Sequence, residues 1–172
     1  MRQVAARRVH LLRHAMPAAR PDADPRAWPL SDEGRAAAAR LAGTLPAGLL
    51  LSSTEAKAVE TITLAAGPPT TDARFGEVSR PGEPFDDAVV ARRRAWVESR
   101  LDVRHAGWET PDEAAARFDA GVRAYPGEDM VIATHGMVMV AWLARVGVVS
   151  AGAAAGELWI GLAFPDLVTV CV

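Results

Sequence analysis

Two short apolar runs, each stopping at a histidine, constrain this chain more than anything else in it. The first is Val9 to Pro17, VHLLRHAMP, which ends abruptly in Arg13-His14. The second is Asp129 to Gly136, DMVIATHG, which stops at His135 and then opens a helix-like pattern. Runs of this length, rich in Val, Ile and Leu and too short for helices, read as buried strands of a parallel sheet. Open α/β sheets bind ligands in the crevice beyond the carboxyl ends of such strands. A lone histidine is more often a satisfied core or surface residue than a functional one. Two of them delivered to one sheet edge, the first with a guanidinium beside it, point to a site.

The intervening chain alternates between strand and helix signals. Ala15 to Pro29 is a loop rich in Pro, Asp and Ala, longer than most connections, which fits a binding loop, a lid or a disordered excursion. Ser31 caps a helix that carries Asp32 and Glu33 in its first turn and runs to about Leu45. Gly48 to Ser52 reads as a second buried strand and Thr54 to Ala65 as a helix. Pro68 to Asp87 is mostly loop, with a short edge strand around Arg74 to Val78. A helix follows from Phe85 to about Arg100, with Arg92-Arg93-Arg94 as a solvated face. His105 falls in a polar loop, structural or exposed. Thr110, Pro111 and the acids after them start another helix. Met137 to Val146 is helical, and Leu158 to Ile160 and Leu167 to Val172 read as closing strands, with Cys171 a small buried hydrophobe in the last. This alternation predicts an α/β fold: a three-layer sandwich with a mostly parallel central sheet and helices on both faces. Length predicts one domain over residues 1–172.

Composition narrows the function. Nineteen Lys and Arg against 21 Asp and Glu give a net charge of -2, so neither nucleic acid nor an anionic membrane is an expected partner. The single cysteine leaves no internal disulfide framework and suits a reducing compartment. The basic N-terminus lacks an unbroken apolar stretch, because His10, Arg13 and His14 interrupt it, so it is expected to stay on the protein. Met137 to Ser150 is too short to span a bilayer and contains Arg145. A cytoplasmic, soluble protein is expected. There is no HExxH, no Asp cluster of Mg²⁺ type and no Cys/His pattern for zinc, so no metal and no other cofactor is expected. Walker A and GxGxxG patterns are absent, as are repeats.

Taken together, Arg13-His14-Ala15 after the first strand and His135 after a later one resemble the histidine phosphatase superfamily, the phosphoglycerate-mutase-like group. Its mark is Arg-His-Gly after the first strand and a second His after a later one. The resemblance covers most of the chain in order. PLSDEGRAAAARLA is similar to the family's segment after the first loop, and SSTEAKAVET occupies the place of a Ser-Ser pair followed by an Arg that binds the phosphoryl group. Gly107-Trp108-Glu109 only loosely resembles the family's Gly-Glu-Ser turn. Three positions depart from the pattern: Ala15 stands for Gly, Pro17 for Thr or Ser, and Lys57 for the Arg. Lys57 is the only lysine in the chain; an ordinary solvated helix lysine is its alternative reading.

The resemblance implies a phosphatase working without metal through a phosphohistidine on His14. Arg13 would fork onto the phosphoryl oxygens and Lys57 supply a point charge. His135, if protonated, would be a further donor, together with backbone N–H groups at the helix start after Gly136. Glu77 is the first choice for the acid that protonates the leaving alcohol and then activates water, and Glu83 the second. The substrate would be a small phosphorylated molecule or a phosphoprotein. Two other readings stand beside this one: a mutase, although so short a chain lacks the insertions such members carry, and a phosphate-binding regulatory protein without turnover. Nothing in the sequence sets an oligomeric state.

Overall fold

Three strands end at one level in this protein, and their pairing puts them there. In the computed structural model, which describes residues 6–172, β1 (Arg8–Arg13) lies between β4 (Met130–Thr134) and β5 (Asp166–Cys171). The expected retained N-terminus and single domain both begin in residues 1–5, outside the described residues. β1 runs parallel to β4 with Arg13 opposite Thr134, and β2 (Leu49–Ser52) runs parallel to β4 with Ser52 opposite Ala133. The His14 N–H extends one ladder to the Thr134 carbonyl (3.0 Å) and the Ser53 N–H extends the other to Ala133 (2.9 Å). Arg13-His14, Ser53 and His135 therefore emerge at one sheet edge. The two-residue strand β3 (Thr70–Thr71) and the antiparallel β5 close the five-stranded, mostly parallel sheet in the order β3-β2-β4-β1-β5.

Alternation along the strands divides the core into two layers. Val9, Leu11, Met130 and Ile132 face one side, where they pack with α3 (Val89–Val97), α4 (Pro111–Arg123), α5 (Gly136–Arg145) and α6 (Ala153–Gly161). Leu12, Val131 and Ala133 face the other, against Ala58 and Ile62 of α2 (Ala56–Ala66). There α1 (Asp32–Ala39) in turn packs on α2. The expected three-layer α/β sandwich is what the chain forms. The cap signals work as read: Ser31 Oγ accepts from the Gly34 N–H, and Thr110 exchanges hydrogen bonds with Glu113 while Pro111 fills the first helical position. Among the described residues no helix is long and apolar enough to cross a membrane.

Four expectations need correction. Leu158 to Ile160 is not a strand but part of α6, where Trp159 is buried and Ile160 faces out; three apolar residues carry no period that separates helix from strand. Arg74 to Val78 is not an edge strand, because the Asp72 carboxylate accepts the Arg74 N–H and winds Ala73–Phe75 into a 3-10 turn. Arg92-Arg93-Arg94 is not a solvated face: Arg92 is buried, bonded to the Pro84 carbonyl and Asp86, while Arg93 clamps Glu83 and Arg94 pairs with Glu98. Cys171 is exposed, since it sits on the alternate face from Val170 in the outermost strand. His105 is structural, its ring buried and donating from Nε2 to the Arg92 carbonyl (2.9 Å).

Candidate active site

His14 has left the β1 ladder by one residue, and its ring turns back on its own chain. Nδ1 lies 2.7 Å from the Ala15 carbonyl oxygen. A carbonyl can only accept, so Nδ1 carries the proton and Nε2 keeps its lone pair. The ring is 6 % exposed. Burial, and then the neighbouring His135, Lys57 and Arg13, lower its proton affinity well below the ordinary histidine value, against the opposing Ala15 bond. It is a neutral imidazole with its free nitrogen in a site lined with cations.

Arg13 is held from several directions. One terminal nitrogen donates to the Leu162 carbonyl (2.6 Å), and the guanidinium lies over the Phe164 ring, 3.5 Å from its centroid. Beneath it is Gly136, where an added Cβ would stand 3.1 Å from Arg13 Nε and 3.0 Å from Trp159 Nε1. Glycine at the start of α5 thus lets the guanidinium lie flat against the backbone. Burial lowers Arg13 to about 10, still charged at neutral pH.

Ala15 sits without strain where the family has Gly. It is fully buried, the one non-glycine residue with positive φ among those described is Ser99, and the Ala15 N–H donates to Thr61 Oγ1 (2.9 Å). Pro17, the second departure, lines the cavity and bridges to Leu30. The loop from Ala15 to Pro29 is an ordered wall: Trp28 Nε1 donates to the carbonyls of Arg20 and Ala23.

Lys57 is not a solvated helix residue. It is 6 % exposed in the first turn of α2, donating to the Pro25 carbonyl (2.8 Å) and to Glu55 Oε2 (2.5 Å). Glu55 is a residue the sequence reading missed. An acid at a helix start is so common that nothing marked this one. Instead of capping α2 its side chain turns inward, 5 % exposed, and accepts the Glu77 N–H at Oε1 (2.8 Å).

His135 is wholly buried, its ring centroid 5.1 Å from that of His14. Burial first, and then Lys57, Arg80 and Arg117, push it down to about 3 despite the opposing pull of Glu77. The condition attached to His135 as a cationic donor is therefore not met, and the ring is neutral. Nε2 lies 2.7 Å from Ser53 Oγ, which already accepts the Glu55 N–H. With the Ser53 hydroxyl donating to Nε2, the proton falls on Nδ1, which has no partner among the described residues. A neutral N–H donor remains.

Glu77 reaches the same cavity but in a form the sequence did not suggest. Its carboxylate accepts the N–H groups of Val78 (2.9 Å) and Val138 (3.0 Å), with Met137 at 3.3 Å, so it caps the start of α5. Burial alone would raise its proton affinity; the Arg80 guanidinium first, and then the Val78 and Val138 N–H donors, override that and hold it below the ordinary carboxylate range. Glu77 is an anion here, not a stored proton. The Met139 N–H goes to the His135 carbonyl, which leaves Gly136 as the amide of this turn without a partner among the described residues. Glu83, the second choice for the acid, is fastened between Arg80 (2.8 Å) and Arg93 (2.7 Å), which outweigh burial and lower its proton affinity.

Arg13, His14, Lys57, Gly136 and both candidate acids line one cavity of about 490 Å³, and His135 adjoins it through His14. Among the described residues no group of three or more His, Cys, Asp or Glu could hold a metal ion. The cavity is lined by an unprotonated nitrogen, two cations and the Gly136 N–H, which suits a tetrahedral oxyanion.

Comparison with known proteins agrees with that chemistry. Residues 9–155 match the model of the histidine phosphatase superfamily (branch 1). Among solved structures, a mycobacterial hydrolase superposes with a TM-score of 0.74 at 22% identity, covering 96% of this chain and 92% of its own. The mycobacterial glucosyl-3-phosphoglycerate phosphatase gives 0.68 at 20%, covering 95% and 89%. The phosphoglycerate mutase from Thermus thermophilus gives 0.65 at 24%, covering 81% and 84%. At these identities the likeness is one of fold. No curated protein matches the chain.

Proposed function

This chain belongs to the histidine phosphatase superfamily, and from that premise we propose that it hydrolyses a phosphomonoester through a phosphohistidine on His14. What carries the reading is the His14 ring, neutral and with its Nδ1 proton committed to Ala15, so that Nε2 is the nucleophile. Nε2 attacks phosphorus as the bond to the leaving oxygen breaks. Arg13, Lys57, the His135 ring N–H and the Gly136 N–H receive the equatorial oxygens.

Glu77 serves the leaving oxygen and then the water. Kept anionic by its donors, it needs a proton to arrive with the substrate before the first step. It is in the right form to accept one when water attacks the phosphohistidine, the N–P bond breaks and neutral His14 returns. No step calls on a metal. A cavity of about 490 Å³ favours a small phosphorylated molecule over a phosphoprotein, and the named phosphatase and mutase neighbours support phosphate-ester chemistry. The cytoplasm is the compartment we assign.

The test is a panel of phosphorylated metabolites and phosphoproteins offered to the wild type and to His14→Ala. Turnover confined to the wild type supports the reading. Substantial turnover by His14→Ala removes His14 as the nucleophile.

A further inference from the structure

A carboxylate that no part of the proposed reaction uses stands inside the phosphoryl pocket. Glu55 lines the cavity, is 5 % exposed, holds the Lys57 ammonium at 2.5 Å and comes within 3.5 Å of His135 Nε2. A site built for a dianion rarely keeps an anion of its own. As the structure stands, Glu55 and the Pro25 carbonyl take two of the three N–H groups of Lys57, and Glu55 cancels the charge that Lys57 would offer to the phosphoryl oxygens.

We propose that Glu55 makes oxyanion binding proton-coupled: the phosphoryl group takes Lys57 from Glu55, and Glu55 takes up one proton from solvent as it does so. The argument is one of charge. The Glu55–Lys57 pair is neutral, and once Lys57 turns to the oxyanion, an ionised Glu55 is left buried, unpaired and beside a dianion, the costliest state available to it. Protonation removes that charge. The charged and titratable groups that touch Glu55 or line the same cavity are Lys57 in the first turn of α2, His135 at the start of α5, Glu77, Arg80 and Glu83 on the loop after β3, Arg93 of α3, Asp24 and Arg26 on the loop after β1, and Arg13 and His14 at the end of β1. Among them Glu55 is the acid whose counterion the ligand removes. This rests on the pocket being the phosphoryl site.

Inorganic sulfate tests it, because sulfate remains dianionic across the working range and cannot turn over. Calorimetric titration of the intact protein in buffers of different ionisation enthalpy counts the protons taken up. The expected count is close to one per sulfate, with affinity falling as pH rises, by up to about tenfold per unit for one linked proton. Glu55→Gln should abolish the uptake, flatten the pH dependence and bind sulfate at least about tenfold tighter one unit above the onset of that fall. His135→Asn, which loses one oxyanion donor, should bind sulfate more weakly yet keep the same uptake per sulfate bound. A wild-type count of zero, or no sulfate binding at all, overturns the proposal whether or not Glu55→Gln folds. So does uptake that persists in Glu55→Gln or vanishes in His135→Asn, since the proton then sits elsewhere. Sulfate binding with one proton in a protein that forms no phosphoenzyme would sink the phosphatase reading alone.

Discussion

Replacing Lys57 with Ala probes the pocket at its most unusual cation, and the structure gives two magnitudes for the change. The first concerns stability. Lys57 and Glu55 are both nearly buried and bonded at 2.5 Å, and removing one partner of a buried pair strands the other charge at a cost of about 3–5 kcal/mol. The second concerns activity. Loss of a charge-assisted hydrogen bond to the phosphoryl group is worth roughly 1.5–3 kcal/mol, or about one to two decades in kcat/KM. Lys57→Ala should fall in that range, and adding Glu55→Gln should recover part of the stability loss by removing the stranded carboxylate. Lys57→Arg keeps the charge and can still reach Glu55 and the Pro25 carbonyl, so it should stay within about tenfold of the parent. The assays are urea unfolding, kcat/KM on p-nitrophenyl phosphate and competitive inhibition by phosphate. If Lys57→Ala leaves all three unchanged, Lys57 neither pairs with Glu55 in solution nor touches the substrate, and the reasoning fails.

Gly136→Ala would place a methyl 3.1 Å from Arg13 Nε and 3.0 Å from Trp159 Nε1; it should destabilise by about 1–3 kcal/mol and cut kcat by shifting the guanidinium, and unchanged kinetics would show that Arg13 yields freely. Glu77→Gln should slow hydrolysis of alkyl phosphates far more than of p-nitrophenyl phosphate, whose leaving group needs little protonation; equal losses on both would move the acid elsewhere. His14 and His135 bind protons more weakly folded than unfolded, so their contribution to stability should hold above about pH 6.5 and fall below it, by at most about 2.7 kcal/mol per pH unit for these two protons. His135→Gln should lower the measured slope by up to about 1.4 kcal/mol per pH unit in urea titrations run between about pH 6 and 5, and a slope left intact would mean that His135 is not buried neutral. His135→Ala should cost on the order of 10²–10³ in kcat, and a kcat that does not change would make it a structural residue.

The parts of the site that ride on strands were legible, because a buried parallel strand has few disguises. VHLLRH and MVIATH announce their own ends, and the shared edge follows from pairing that leaves Arg13 opposite Thr134. Ser31 and Thr110 were legible for the same reason, as local chemistry read out locally. What the sequence hid depends on partners far along the chain. Arg92 resembles any helix-surface arginine until the 80–88 loop folds over it with Pro84 and Asp86. Glu55 resembles an ordinary first-turn acid until Lys57 and the Glu77 N–H meet it inside the cavity. The ionisation states belong to this second kind: the neutral His135 and the anionic Glu77 are set by burial and by the start of α5, which the sequence places but does not weigh.

The central claim is that His14 carries the phosphoryl group on Nε2, and the nitrogen itself can be identified. Rapid acid-free quenching of the protein with a turning-over phosphomonoester, followed by peptide mass spectrometry and phosphorus NMR of nitrogen-labelled histidine, locates the adduct. With Nδ1 bonded 2.7 Å from the Ala15 carbonyl, the account predicts a single acid-labile phosphohistidine on His14, joined through Nε2. Phosphorylation through Nδ1, on His135, or on no histidine while hydrolysis proceeds would contradict it.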